Sequence, residues 1–145
     1  MSGVKLTDIV EKMNLKNLTP EVDITEREVL VPDVNRPALQ LAGFFDHFDL
    51  NRVQIIGNVE CAYLETLEEE KRVEIYQKLL EHKVPCIIFS NELQPDESFI
   101  EIAQKNDIPV FGTCKKTSSF MGELIRWLNV KLAPCISING VLVDV

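Results

Sequence analysis

The stretch Val84-Pro-Cys-Ile-Ile-Phe-Ser90 limits the fold more than any other part of the chain. Its apolar core, Cys86 to Phe89, is too short for a helix and rich in strand-forming residues. Apolar and polar residues do not alternate within it, so both faces of the strand must be covered, as in a parallel sheet with helices on each side. Two similar runs flank it, Val53-Gln-Ile-Ile-Gly57 before and Ile108-Pro-Val-Phe-Gly112 after, and helical periodicity fills each gap. That β-α-β-α-β order predicts an α/β fold with a short, mainly parallel sheet in a three-layer-like arrangement.

The flanking segments fit this plan. Leu6, Ile9, Val10 and Met13 recur at helical spacing, and Asn14 and Asn17 are candidate stops. Glu28 to Val31 reads as a strand closed by Pro32. Asn35-Arg-Pro opens a helix, with Pro37 suited to its first position. Thr66 and Glu69 have capping-box spacing, and Pro95 starts the helix whose buried stripe is Phe99, Ile100 and Ala103. Thr117 or Ser118 is expected to cap the last helix, which ends at Pro134. Asn139-Gly140 between alternating residues predicts a hairpin over 135–145. A two-stranded ribbon is marginal by itself. The expected organisation is therefore a domain over 1–134 and a hairpin over 135–145 that leads into a further domain or pairs with another chain.

Composition narrows the function. A chain of 145 residues buries roughly 68–70% of its unfolded surface and needs no staple. A net charge of −8 disfavours nonspecific binding to nucleic acid or an anionic membrane. No run approaches the ~20 apolar residues of a membrane span, and the early acidic residues do not suit a secretory signal, so a cytoplasmic location is expected. Cys61, Cys86, Cys114 and Cys135 form no C-x-x-C pair and there are two histidines, so neither a metal site nor a disulfide framework is expected.

Open parallel sheets bind ligands beyond the carboxyl ends of their strands. That singles out Gly57 to Glu60, Ser90-Asn91 and Gly112 to Ser119. In the third, Thr113, Lys115, Lys116, Thr117 and Ser118 surround a helix start, where free amides attract anions. The glycine that a phosphate loop needs before its lysine is missing there. An anion site and an ordinary helix start both remain open. Arg36 places a bidentate donor at another helix start, suited to recognition or to an ion pair. Glu60 follows a strand without an evident partner. His47 is expected to pack among Phe44, Phe45 and Phe48, and His82 to supply charge at a helix end. Cys114 has no base partner, so no catalytic residue is assigned.

Several stretches are specific enough to resemble a known family. Val34 to Phe48, with Arg36-Pro37 and Leu39 to Phe44 at its centre, Arg52 to Gly57 with Glu60, Val84 to Ile88, Ile108-Pro-Val110, Lys131 to Pro134 and Asn139 to Val145 together resemble the N-terminal domain of bacterial HPr kinase/phosphorylase. The resemblance implies a fold like the N-terminal domain of Mur ligases. It implies a regulatory or assembly role in an oligomeric protein-serine kinase/phosphorylase, which acts on the HPr carrier protein of the sugar phosphotransferase system and thereby on carbon catabolite regulation. ATP and magnesium belong to the family's C-terminal kinase domain, whose phosphate loop does not occur here, so this segment is expected to hold no cofactor and to be non-catalytic. The alternative is a stand-alone sensor similar to DRTGG modules, which would bind a nucleotide or sugar phosphate.

Overall fold

A computed structural model of the chain describes residues 3–133. Its main sheet has five strands, ordered β2-β7-β6-β5-β4. β4 (Val34–Asn35), β5 (Val53–Ile56), β6 (Ile87–Phe89) and β7 (Val110–Gly112) run parallel, and β2 (Lys16–Asn17) adds an antiparallel edge. The fold class is therefore the expected one. The hairpin expected over 135–145 lies outside the described residues.

Strand alternation divides the apolar runs between two cores. Val53, Ile55, Cys86, Ile88 and Phe111 face one side, under α1 (Leu6–Met13) and α6 (Thr117–Leu132). Ile56, Ile87, Phe89 and Val110 face the other, under α2 (Ala38–Leu41), α4 (Glu69–Leu80) and α5 (Glu97–Lys105). α3 (Asn58–Glu65) adds Leu64 to that second core. All five side chains of the first set have no exposed surface, which is why these strands read as unbroken apolar runs.

Several local expectations are corrected. The strand read over Glu28 to Val31 is shorter, β3 (Glu28–Val29), and it pairs antiparallel with β1 (Val4–Lys5) in a separate two-stranded ribbon. Asn35 and Pro37 stand before the helix they are expected to open, which starts at Ala38. Asn35 ends β4, and its side-chain amide donates to Gln40 Oε1 (3.1 Å) and Gln54 Oε1 (2.7 Å). Thr66 closes α3 rather than opening α4, with its hydroxyl donating to the Tyr63 carbonyl at 2.6 Å. Of the two histidines, His82 packs on the phenylalanines, stacked on Phe45 with ring centroids 4.6 Å apart, while His47 is exposed. Asn14 does stop α1, in the left-handed conformation at φ 54° that Asn tolerates.

Candidate functional site at the strand ends

Chain direction creates one crevice. The loop after β6 leads to α5 on one face of the sheet, while the loop after β7 leads to α6 on the other. Loops that diverge in this way leave space beyond the carboxyl ends of the strands. Here the chain stitches much of that space together. Asn91 and Glu92 are consecutive residues with φ of 57°, and their amides donate to the carbonyls of Lys115 (2.8 Å) and Thr113 (2.9 Å). Thr117 Oγ1 shares a 2.5 Å hydrogen bond with Ser90 Oγ and accepts another from Asn91 Nδ2 at 2.9 Å.

This changes the role read for Thr117. Its hydroxyl does not cap its own helix, and no side chain caps α6. The first-turn amides therefore keep the unsatisfied donors typical of a helix start. Lys115 turns along the helix and pairs with Glu123 at 2.7 Å, so part of the positive charge expected at the helix start is already neutralised. Lys116 and Ser118 are exposed, whereas Thr113 is buried and its hydroxyl accepts from the Lys115 amide at 3.2 Å.

Arg36 and Glu60 meet across 24 residues of sequence. Arg36 donates from Nε to Glu60 Oε2 at 3.0 Å and from Nη2 to Oε1 at 2.7 Å. Glu60 Oε1 also accepts the Gly57 amide at 2.8 Å. Glu60 is 2% exposed and Arg36 32% exposed. Both oxygens of a buried carboxylate are thus satisfied, which removes Glu60 as a free general base and makes the pair a clamp between the β4–α2 and β5–α3 connections. Gly57 permits this arrangement. A Cβ there would stand 2.7 Å from Thr117 Oγ1 and 2.9 Å from Arg36 Nη2. Arg36 and Thr117, singled out separately in the sequence, therefore share one neighbourhood over Gly57. Lys116 and Ser118 are not drawn into it by any hydrogen bond or ion pair among the described residues.

A second feature opens on the α4–α5 side. A cleft of about 190 Å³ lies between α3, α4 and the start of α5. Tyr76 donates its hydroxyl to Asp96 Oδ2 at 2.6 Å, and Arg72 Nε donates to the same oxygen at 3.1 Å. Burial, the Asp96 hydrogen bond and the Asp96 charge raise the Tyr76 phenol above its ordinary value. Burial first, then the charges of Glu60, Glu65 and Asp96, push the Cys61 thiol up to about 11, so it is a poor nucleophile at neutral pH. No group of three or more His, Cys, Asp and Glu side chains could hold a metal ion among the described residues. No helix among them is long and apolar enough to cross a membrane.

Fold and strand order define a three-layer α/β domain with a mostly parallel five-stranded sheet. A similar fold is found in the CBS and DRTGG domains of the regulatory region of Clostridium perfringens pyrophosphatase, solved with diadenosine tetraphosphate. That likeness has a TM-score of 0.60 at 22% identity, covers 86% of this chain and 47% of the other, and concerns the fold alone. The family model described as HPr Serine kinase N terminus matches residues 4–128. The HPr kinase/phosphorylase of Lachnoclostridium phytofermentans is 57% identical over 145 residues, all of this chain and 47% of the relative. That of Caldicellulosiruptor bescii is 41% identical over 137 residues, 94% of this chain and 44% of the relative. The chain belongs to the HPr serine kinase N-terminal family and corresponds to the N-terminal domain of HPr kinase/phosphorylase. It spans about half the length of the curated relatives it matches.

Proposed function

We propose that this chain serves as a non-catalytic regulatory or assembly domain of an HPr kinase/phosphorylase, and that through that enzyme it takes part in control of the sugar phosphotransferase system. The observation that carries this reading is the 57% identity to the leading half of a named HPr kinase/phosphorylase. The chemistry is consistent with it. Glu60 is consumed by Arg36 and Gly57, and Cys61 is held protonated. The partner under this reading is HPr, met through the kinase domain, with ATP and magnesium bound there. The parent enzyme would act as a homo-oligomer in the cytoplasm, without nucleic acid or membrane.

The test compares a two-domain enzyme carrying these residues with the same enzyme lacking 1–133. We expect both to phosphorylate HPr with ATP and magnesium at rates within about tenfold, while the oligomer mass or the response to effectors changes. Loss of all transfer by a folded, shortened enzyme would make the domain part of the catalytic machinery and overturn the reading.

A second reading is a small-ligand sensor for a nucleotide or sugar phosphate at the strand ends. Its support is the uncapped start of α6 beside Arg36, with Thr113, Lys115, Lys116, Thr117 and Ser118 as binding residues. A phosphorylated sugar should then shift the amide signals of Thr113 to Ser119, and Lys115→Ala with Lys116→Ala should abolish the shift. No movement at millimolar concentration would eliminate a site there.

A further inference from the structure

We propose that the outer face of α2 and the free edge of β4 form a two-fold interface with a second copy of this chain. α2 reverses the usual arrangement of a surface helix. Its polar Gln40 is 7% exposed, with Oε1 accepting from Asn35 and Nε2 donating to the Phe44 carbonyl at 3.3 Å, while Leu39 is 62% and Phe44 48% exposed. The Phe44 amide donates to the Leu39 carbonyl at 2.9 Å, which holds these two apolar residues together. Ala38, Ala42 and Gly43 are exposed beside them, and no charged residue occurs between Arg36 and Asp46. A helix that is apolar on its outer side as well as its inner one belongs in a buried setting.

The neighbouring strand selects the occupant. α2 follows directly on β4, which ends the sheet and pairs with β5 on one side and with no other strand among the described residues. Such an edge offers backbone donors and acceptors to another strand. Asp33 is exposed and makes no hydrogen bond or ion pair among the described residues, and Arg36 spends Nε and Nη2 on Glu60 and leaves Nη1 unspent. In an antiparallel pair of β4 strands with Val34 opposite Asn35 of the second copy, Asp33 stands opposite Arg36 of that copy. The two-fold axis repeats this charge-matched pair at the other end of the seam. The axis lies perpendicular to the sheet, so both copies of α2 fall on one side of the seam with their apolar strips adjacent. A chain of net charge −8 repels its own copies, and the strip from Pro37 to Phe45 adds nothing to that repulsion. Such a dimer rests on the assembly role proposed above for its place in the enzyme, and it gives that role a surface on this domain. One short helix face and a two-residue strand cover less than the ~800 Å² per partner of a standard interface, so the dissociation constant is about 0.1 mM.

The experiment follows the labelled 145-residue chain by sedimentation and NMR from about 10 µM to about 1 mM. A monomer–dimer equilibrium is expected, in which the amide signals of Asp33 to Asn35, Leu39 and Phe44 move with concentration while those of Arg126 to Lys131, in the layer on the other side of the sheet, stay in place. Leu39→Ser with Phe44→Ser alters two exposed side chains, so the fold is kept, and it should weaken the dimer at least about tenfold. Asp33→Lys sets like charges across the seam and should weaken it at least about fivefold. A chain that stays monomeric at about 1 mM overturns the proposal. So does a dimer that neither variant weakens, or one whose shifts fall elsewhere. Burial of Leu39 and Phe44 only in the two-domain enzyme would assign the face to the second domain and overturn the pairing of copies. Because the domain itself is measured, such a failure leaves the assembly role to its own test with the shortened enzyme.

Discussion

Replacing Arg36 with alanine tests whether the Arg36–Glu60 clamp is a structural necessity. The change removes hydrogen bonds of 3.0 and 2.7 Å and leaves a carboxylate that is 2% exposed, with the Gly57 amide as its remaining donor. Breaking a buried ion pair from one side costs about 3–5 kcal/mol. Arg36 is about one-third exposed, so water enters where its guanidinium stood and the cost falls below that range, to about 2–3 kcal/mol. Glu60→Gln keeps an acceptor for Gly57 and removes the charge, so its cost is about 1–2 kcal/mol. In the double variant no buried charge is stranded. It should be more stable than Arg36→Ala alone, so the coupling exceeds the cost of Glu60→Gln and reaches about 2–3 kcal/mol. Urea unfolding of the four proteins measures this cycle. In thermal unfolding of a chain of 145 residues, at about 2–4 °C per kcal/mol, the Arg36→Ala midpoint should fall by about 4–12 °C. A loss below about 1 kcal/mol, or strict additivity of the two changes, would refute the clamp.

The remaining predictions concern the cores and one helix end. Phe99→Ala empties the centre of an aromatic cluster and should cost about 3–5 kcal/mol by chemical unfolding, because Phe99 is buried against both Tyr76 and Phe89. Burial pushes the Cys86 thiol up from 9.0 to about 12, so its contribution is complete below pH 9 and is lost as the pH rises from there toward 12. In that window the unfolded thiol ionises and the folded one does not, which lowers stability by about 1.4 kcal/mol per pH unit for this group. Unfolding measured between pH 8 and 11 should show a shallower decline in Cys86→Ala than in the parent chain. Asn14→Ala forces a side chain poorly suited to φ 54° and should cost about 1 kcal/mol, whereas Asn14→Gly should leave the melting midpoint unchanged or higher.

The central strands were legible in the sequence because each buries both faces, so their apolar runs carry the signal without help from context. Val53–Ile56, Ile87–Phe89 and Val110–Gly112 all fall within runs that the sequence marks. The edges were not legible. β2 is the exposed pair Lys16–Asn17, β4 the half-buried Val34–Asn35, and both become strands only because a central neighbour offers hydrogen bonds. For the same reason Glu28 and Val29 could be read as strand but not assigned to a sheet, since pairing with β1 is a long-range choice. The site divides along the same line. Residue type alone drew attention to Arg36, Glu60 and Thr117. Their partners were decided by the tertiary structure. Glu60 found Arg36 because two strand-end connections converge over Gly57, where a missing Cβ leaves room. Thr117 gave its hydroxyl to Ser90 and Asn91 instead of its own helix because the β6 loop passes within hydrogen-bond reach. Local propensity records what a side chain is able to do. Which of those options it takes depends on groups brought beside it from distant parts of the chain, and those positions exist only once the sheet has formed.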